Sequence, residues 1–92
     1  MNIFPLVSVC IPVFNGDEFL LEALESVKIQ TYSNLEFIIS DDQSNDRSIE
    51  IIEHFLRENH FPFTLVTNID RGIGKNWNNC VRHATGKYIK FL

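Results

Sequence analysis

Apolar positions fall along the chain in two rhythms that alternate. The run Leu6 to Ile11 (LVSVCI) is rich in β-branched residues and bounded by Pro5 and Pro12, the composition of a strand covered on both faces, as parallel strands are. From Glu18 the apolar positions Leu20, Leu21, Leu24, Val27 and Ile29 recur mostly three or four apart. This spacing predicts a first helix, N-capped by Asp17 and ending near Gln30. After a turn at Tyr32-Ser33-Asn34, Leu35 to Ser40 (LEFIIS) reads as a second strand whose C-terminal end delivers two adjacent carboxylates, Asp41 and Asp42. Ser44, Asn45 and Asp46 then supply capping side chains and negative charge for a second helix, in which Ile49, Ile52, Phe55 and Leu56 form one apolar stripe that runs out near Asn59. Phe63 to Thr67 (FTLVT) is a third strand. The Gly-rich NIDRGIGK leads into a helix of about ten residues that stops before Gly86, placed in the left-handed stop position, and KYIKFL opens a fourth strand.

This alternation predicts an α/β fold: a Rossmann-like three-layer α/β/α arrangement with a mostly parallel sheet, right-handed crossovers and helices on both faces. The totals agree with a packed core, since 45% of the 92 residues are apolar and 12% aromatic against 22% charged. No internal repeat or low-complexity linker divides the chain. Eight basic against twelve acidic residues give a net charge of -4 without a Lys/Arg cluster, which argues against a nucleic-acid partner. Cys10 and Cys80 sit within apolar patterns and no signal-type segment precedes them, so a reduced, cytoplasmic setting is expected. The opening MNIFPLVSVCIPVF has no basic region, is broken by two prolines and falls short of the ~20 residues of a membrane span. His54, His60 and His83 lack ligand spacing with one another or with a cysteine.

In sheets of this kind ligands bind outside the carboxyl ends of the strands, near a switch in strand order. The chemistry is therefore expected on PVFNG (12–16), DDQSND (41–46), NIDRGIGK (68–75) and whatever follows Leu92. An ionised carboxylate only accepts hydrogen bonds, so Asp41 and Asp42 at a strand tip suit ring N–H groups or ribose hydroxyls. The competing reading is a pair that serves the turn and caps the next helix. Pro12 and Phe14 can form a flat wall against a base and Asn15 offers both donor and acceptor, though Asn15-Gly16 is also a favoured tight turn. Gly72 and Gly74 can bring backbone N–H groups to a diphosphate or simply make a turn, and Lys75 and Arg71 are the cations at hand. Asn78 is read as a loop anchor; Trp77 can stack on a sugar, but an aromatic on an amphipathic helix is more often core, and it is left outside the site.

Taken together, VSVCIPVFNG, SDDQSND and GKNWNNCVRHATGKYIKFL resemble, in order and spacing, the N-terminal nucleotide-binding half of family 2 glycosyltransferases with the GT-A fold. The resemblance implies that residues 1–92 are the nucleotide-sugar-binding part of one incomplete glycosyltransferase domain. It implies transfer of a sugar from a nucleotide donor, UDP-linked by expectation, to a hydroxyl of a glycan, lipid-linked or other acceptor, with inversion. It also implies a divalent metal, Mg or Mn, to stabilise the departing diphosphate. Asp42 becomes the nucleobase-contacting acid and Asp41 a ribose or structural contact. Pro12, Val13, Phe14 and Asn15 line the nucleotide pocket, and Lys75 is a candidate for the diphosphate. The family's Asp-x-Asp metal motif follows the strand that YIKFL begins, and its catalytic base lies farther on, so the 92 residues are expected to bind and not to catalyse. Peripheral membrane association would come through regions outside them. Relatives often carry Ala-Arg where this chain has Asn76-Trp77, ahead of the matching Asn78. The rival readings are a phosphorylation receiver module and a noncatalytic interaction module with an open strand edge. A receiver places its acid pair after the first strand and another acid after the third, and neither is found here.

Overall fold

The computed structural model describes residues 4–28 and 34–92. Seven elements follow one another: β1 (Val7–Val13), α1 (Asp17–Lys28), β2 (Leu35–Asp41), α2 (Ser48–Glu58), β3 (Phe63–Thr67), α3 (Ile73–His83) and β4 (Tyr88–Phe91). The four strands are all parallel and lie in the order β3-β2-β1-β4. The α/β alternation is as the apolar rhythm predicts, and the chain reverses its direction of travel between β1 and β4, which makes that pair the switch point.

Side chains alternate between the two faces of a strand, and the register sorts them into two cores. Val9, Ile11 and Val13 of β1 with Phe37 and Ile39 of β2 meet Leu20 and Leu24 of α1 and Ile52, Phe55 and Leu56 of α2. Fully burying an apolar side chain of this size contributes about 1.5–3 kcal/mol, so this face supplies most of the driving force. The opposite face is smaller: Cys10 and Ile38 pack under Cys80 of α3. That face also buries Ser8, Ser40, Asn76 and Asn79, which makes its packing partly a matter of hydrogen bonds.

Strand β1 runs two residues beyond its expected end, through Pro12. The Cys10 carbonyl accepts the Leu92 N–H at 3.1 Å, so Cys10 and Pro12 face β4, whereas the Val13 carbonyl accepts the Asp42 N–H at 2.8 Å on the β2 side. The missing Pro12 N–H therefore lies on the β4 side and leaves the β1–β2 ladder, which continues through Val13 with Asp41, unbroken.

Helix starts depart from expectation. Asp17 is the first residue of α1 and not its cap; the Gly16 carbonyl receives the Phe19 and Leu20 N–H groups. Helix α2 begins at Ser48, later than the Ser44-Asn45-Asp46 caps imply, and Arg47 at its cap position makes no side-chain capping bond. Asp46 Oδ1 instead accepts the Ser48 N–H and hydroxyl, while Ser44 turns to another loop. The expected end of α1 near Gln30 and most of the Tyr32-Ser33-Asn34 turn lie outside the described residues. Gly86 does not adopt a left-handed conformation; among the described glycines only Gly72 has a positive φ. Gly86 is needed for space, because a Cβ there would stand 2.7 Å from the Leu6 carbonyl oxygen.

The segment after α3 is tied to the sheet through Glu36. Its carboxylate accepts the Ser8 hydroxyl at 2.5 Å, the Thr85 N–H at 2.8 Å and the Thr85 hydroxyl at 2.9 Å. Burial pushes the Glu36 carboxyl up, but the hydrogen bonds from Ser8 and Thr85 outweigh it and hold the group below its ordinary 4.5. Asp46 is likewise held below 3.8, partial desolvation being outweighed by the bonds from Ser48 and Asp17. A carboxylate with a lowered folded-state pKa adds stability that is present above the unfolded value and is lost as pH falls through the folded one. The urea midpoint is therefore expected to be level at neutral pH and to fall below about pH 4. Glu36→Gln should flatten part of that fall; an unchanged profile in the variant would remove Glu36 from this role.

Candidate nucleotide site at the strand tips

The three available tips meet at one rim of the sheet and are sewn together by side chains. At the end of β1, Asn15 sits at φ 48, a left-handed conformation that asparagine tolerates better than most residues. Its N–H donates to Ser44 Oγ at 2.9 Å and its Oδ1 accepts the Asn45 N–H at 3.0 Å. The next residue, Gly16, donates its N–H to Ser48 Oγ at 2.8 Å. The turn reading of Asn15-Gly16 is thus served: the acceptor oxygen is spent on the neighbouring loop, and the side-chain NH2 makes no hydrogen bond among the described residues.

The acid pair divides its work because neighbouring residues point to opposite faces. The Asp41 carboxylate accepts the Ser44 N–H with both oxygens at 3.2 Å, a turn-forming role. Asp42 points to the α3 side, where it reaches the third tip. Its Oδ1 accepts Asn68 Nδ2 at 2.9 Å, and both oxygens accept the Gly72 N–H at 3.1 Å. Although Asp42 is only 7% exposed, its charge is compensated by these two donors, and a carboxylate has roughly four acceptor positions. Acceptor capacity remains at Oδ2 for one further donor.

Gly72 makes this contact possible. It caps α3 at φ 128 and ψ 146, a conformation that a residue with a Cβ rarely adopts. With the Gly72 N–H engaged by Asp42 and its carbonyl accepting Asn76 N–H, the N–H groups of Ile73, Gly74 and Lys75 are those left without intrahelical partners. Phe14, 54% exposed, presents its ring beside this loop, with the Arg71 guanidinium 5.8 Å from the ring centroid. Lys75, three residues into α3, pairs with Asp70 at 3.1 Å on the exposed surface. Pro12 and Val13 complete the β1 tip, Val13 with its side chain in the larger core and its carbonyl on the rim.

With this geometry in view, the comparisons are specific. The family model for glycosyl transferase family 2 matches residues 8–92. The chain belongs to glycosyl transferase family 2. Its sequence is 32% identical over 89 residues to the GalNAc(5)-diNAcBac-PP-undecaprenol beta-1,3-glucosyltransferase of Campylobacter jejuni, covering 96% of this chain and 29% of that protein. Its fold superposes on the mannosyltransferase PcManGT from Pyrobaculum calidifontis, in complex with GDP-Man and Mn2+, with a TM-score of 0.82 and 28% identity, over 92% of this chain and 26% of that one. It superposes on S. aureus TarS 1-349, in complex with UDP-GlcNAc, with a TM-score of 0.83 and 26% identity, over 94% and 25%. The chain thus spans less than a third of the length of each of these proteins.

Other parts of this family 2 chain lie away from the tips. A groove between α1 and α2 is lined by residues that include Leu21, Glu25, Arg47, Glu50, His54 and Glu58. Its three glutamates outnumber its one permanent cation, Arg47, which pairs with Glu50 at 3.2 Å. Both cysteines are free and buried, and burial pushes the Cys80 thiol up to about 12, which leaves no thiolate for chemistry. Among the described residues no three His, Cys, Asp or Glu side chains are grouped to hold a metal ion, and no helix is long and apolar enough to cross a membrane.

Two side-chain readings need correction. Trp77 is not core: it is 40% exposed and its ring lies tilted by 34° against that of Phe91, with the centroids 4.3 Å apart, because that side of α3 overhangs β4. Asn78 is exposed, and the anchoring amides are Asn76 and Asn79. Asn79 Nδ2 donates to Ser40 Oγ at 2.8 Å and Asn76 Nδ2 to the Val13 carbonyl at 3.3 Å. The choice of Asn76 and Asn79 over Asn78 follows from helix phase, which the β3–α3 loop sets. Three asparagines within four positions gave no way to choose among them beforehand.

Proposed function

We propose that this chain supplies the nucleotide-binding part of a glycosyltransferase that moves a sugar from a UDP-sugar to an acceptor hydroxyl with inversion. The observation that carries the reading is the position of Asp42, a nearly buried carboxylate at the sheet rim with acceptor capacity to spare, framed by the β1 tip and the α3 start. A uracil ring offers an N–H donor that such a carboxylate takes. Pro12 and Phe14 form the wall beside the base and Asn15 contributes its NH2 group. Asp42 already takes the Gly72 N–H, so the diphosphate is assigned to the next N–H groups of the helix start, those of Ile73, Gly74 and Lys75, with Lys75 and Arg71 as the cations at hand. Asp41 acts through the turn it closes.

The reading includes a divalent metal, Mg or Mn, whose chemistry when bound is Lewis-acid stabilisation of the leaving diphosphate. Its ligands are not among the described residues, and no step proposed for this chain depends on it. The acceptor is taken to be a glycan or lipid-linked hydroxyl, since the name of one relative above is that of a glucosyltransferase for GalNAc(5)-diNAcBac-PP-undecaprenol. A cytoplasmic setting, where nucleotide sugars are made, fits the two buried free thiols. Calorimetric titration of the chain with UDP and, separately, GDP tests the reading. UDP is expected to bind more tightly; absence of any UDP binding would overturn it.

A further inference from the structure

Asn76 is buried, 3% exposed, on the inner side of α3, and its two amide atoms have unequal fates. Nδ2 donates to the Val13 carbonyl at 3.3 Å, whereas Oδ1 is buried without a hydrogen-bond partner among the described residues. The Val13 carbonyl also accepts the Asp42 N–H at 2.8 Å. The Asp42 carboxylate accepts the Gly72 N–H at 3.1 Å, and the Gly72 carbonyl accepts the Asn76 N–H at 2.8 Å. These contacts close a ring through Val13, Asp42, Gly72 and Asn76, with one member from each tip and Asn76 as the only side-chain amide in it.

We propose that Asn76 is a positioning residue for nucleotide recognition, fixing the β1 tip and the Gly72 loop on either side of Asp42 and keeping its Oδ1 acceptor for the ligand-bound state. The inference rests on the nucleotide-binding reading above and deepens it. A buried acceptor left without a donor weakens the folded state, and an alanine at this position would remove that burden along with one long hydrogen bond. A residue kept only for stability would not carry the burden. One whose ring defines the distance between the base wall and the acid gains its return when a nucleotide is bound.

The test compares the chain with Asn76→Ala for thermal midpoint and for UDP affinity, and follows the side-chain amide resonances of the unsubstituted chain by NMR during the titration. Asn76→Ala is expected to melt at or above the parent's temperature while binding UDP about tenfold more weakly. The Asn76 NH2 resonances should move on UDP addition while those of Asn59, donated to the Phe55 carbonyl on α2, stay in place. A parent that binds UDP together with a variant of equal affinity, a variant whose midpoint falls in step with its affinity, or unmoved Asn76 resonances would each overturn the positioning role alone. A parent that does not bind UDP overturns this role and the nucleotide reading together.

Discussion

Asp42→Ala is expected to lose most of the affinity for UDP and a measurable part of the stability of the chain. The carboxylate is the acceptor for Asn68 Nδ2 and for the Gly72 N–H, and its removal leaves both donors beneath the rim without a partner. Hydrogen bonds to a charged group contribute about 1.5–3 kcal/mol, so a loss of about 2–3 kcal/mol of folding stability follows, tempered by water that enters the space. The same loss of an acceptor for a base N–H predicts a weakening of UDP binding of about 10- to 100-fold. Asp42→Asn separates the two effects, because its remaining oxygen can still hold Gly72 while the amide turns a donor toward Asn68 and the ligand. It should recover stability more than affinity. Asp41→Asn is the control: its carboxylate serves Ser44 in the turn, and UDP affinity should change little. Urea unfolding and calorimetry on the same samples check both halves, and equal UDP affinity in Asp42→Ala would remove Asp42 from the site.

The second large effect concerns Gly86, which lies far from the tips. A Cβ there would sit 2.7 Å from the Leu6 carbonyl oxygen, 2.7 Å from Ser8 Oγ and 2.8 Å from the Ser8 nitrogen. Two of these are backbone atoms of the segment that begins β1, and they cannot rotate aside as a side chain does. Gly86→Ala should therefore push β4 away from β1 and strip the Gly86 N–H from Ser8 Oγ, where it now lies at 2.8 Å. Overpacking of this kind costs about 1–3 kcal/mol, and the lost bond adds to it. At about 4–8 °C per kcal/mol for a chain of this size, a fall of about 10 °C or more in the thermal midpoint is expected. Gly74→Ala is the contrasting case. Nothing lies within 4 Å of its Cβ and its φ is ordinary, so alanine there should stabilise the start of α3 by about 0.5–1 kcal/mol. Differential scanning calorimetry of the two variants decides; a Gly86→Ala chain that melts with the parent would show that β4 yields without penalty.

Hydrophobic rhythm carries far in this chain. Phe63 to Thr67 is the third strand as the FTLVT run predicts, and Ile52, Phe55 and Leu56 face the core as their spacing requires. The convergence of tips at 12–16, 41–46 and 68–75 followed from element order alone, since parallel strands bring their C-terminal ends to one side. What the sequence hid is set by contacts between loops far apart in the chain. Ser44 is a plausible cap in its own segment, yet the structure engages its hydroxyl with the N–H of Asn15, 29 positions away. Gly86 has the look of a helix stop because glycine often is one, whereas its reason is the backbone of residues 6 and 8. Asn76, Asn78 and Asn79 are equivalent as letters; only the phase of α3 decides which two face the sheet. The separate duties of Asp41 and Asp42 were open in principle, because strand alternation sends them to opposite faces, but their partners Ser44 and Gly72 could not be named without the loops in place.

The measurement that bears most directly on the account is a map of backbone amide shifts across the chain as UDP is added. The largest changes are predicted at Val13 to Gly16, at Asp42 to Ser44 and at Gly72 to Lys75, all saturating along one binding curve. Changes confined to the α1–α2 groove around Glu25, Glu50 and His54, or a response from one tip while the other two stay still, would contradict it.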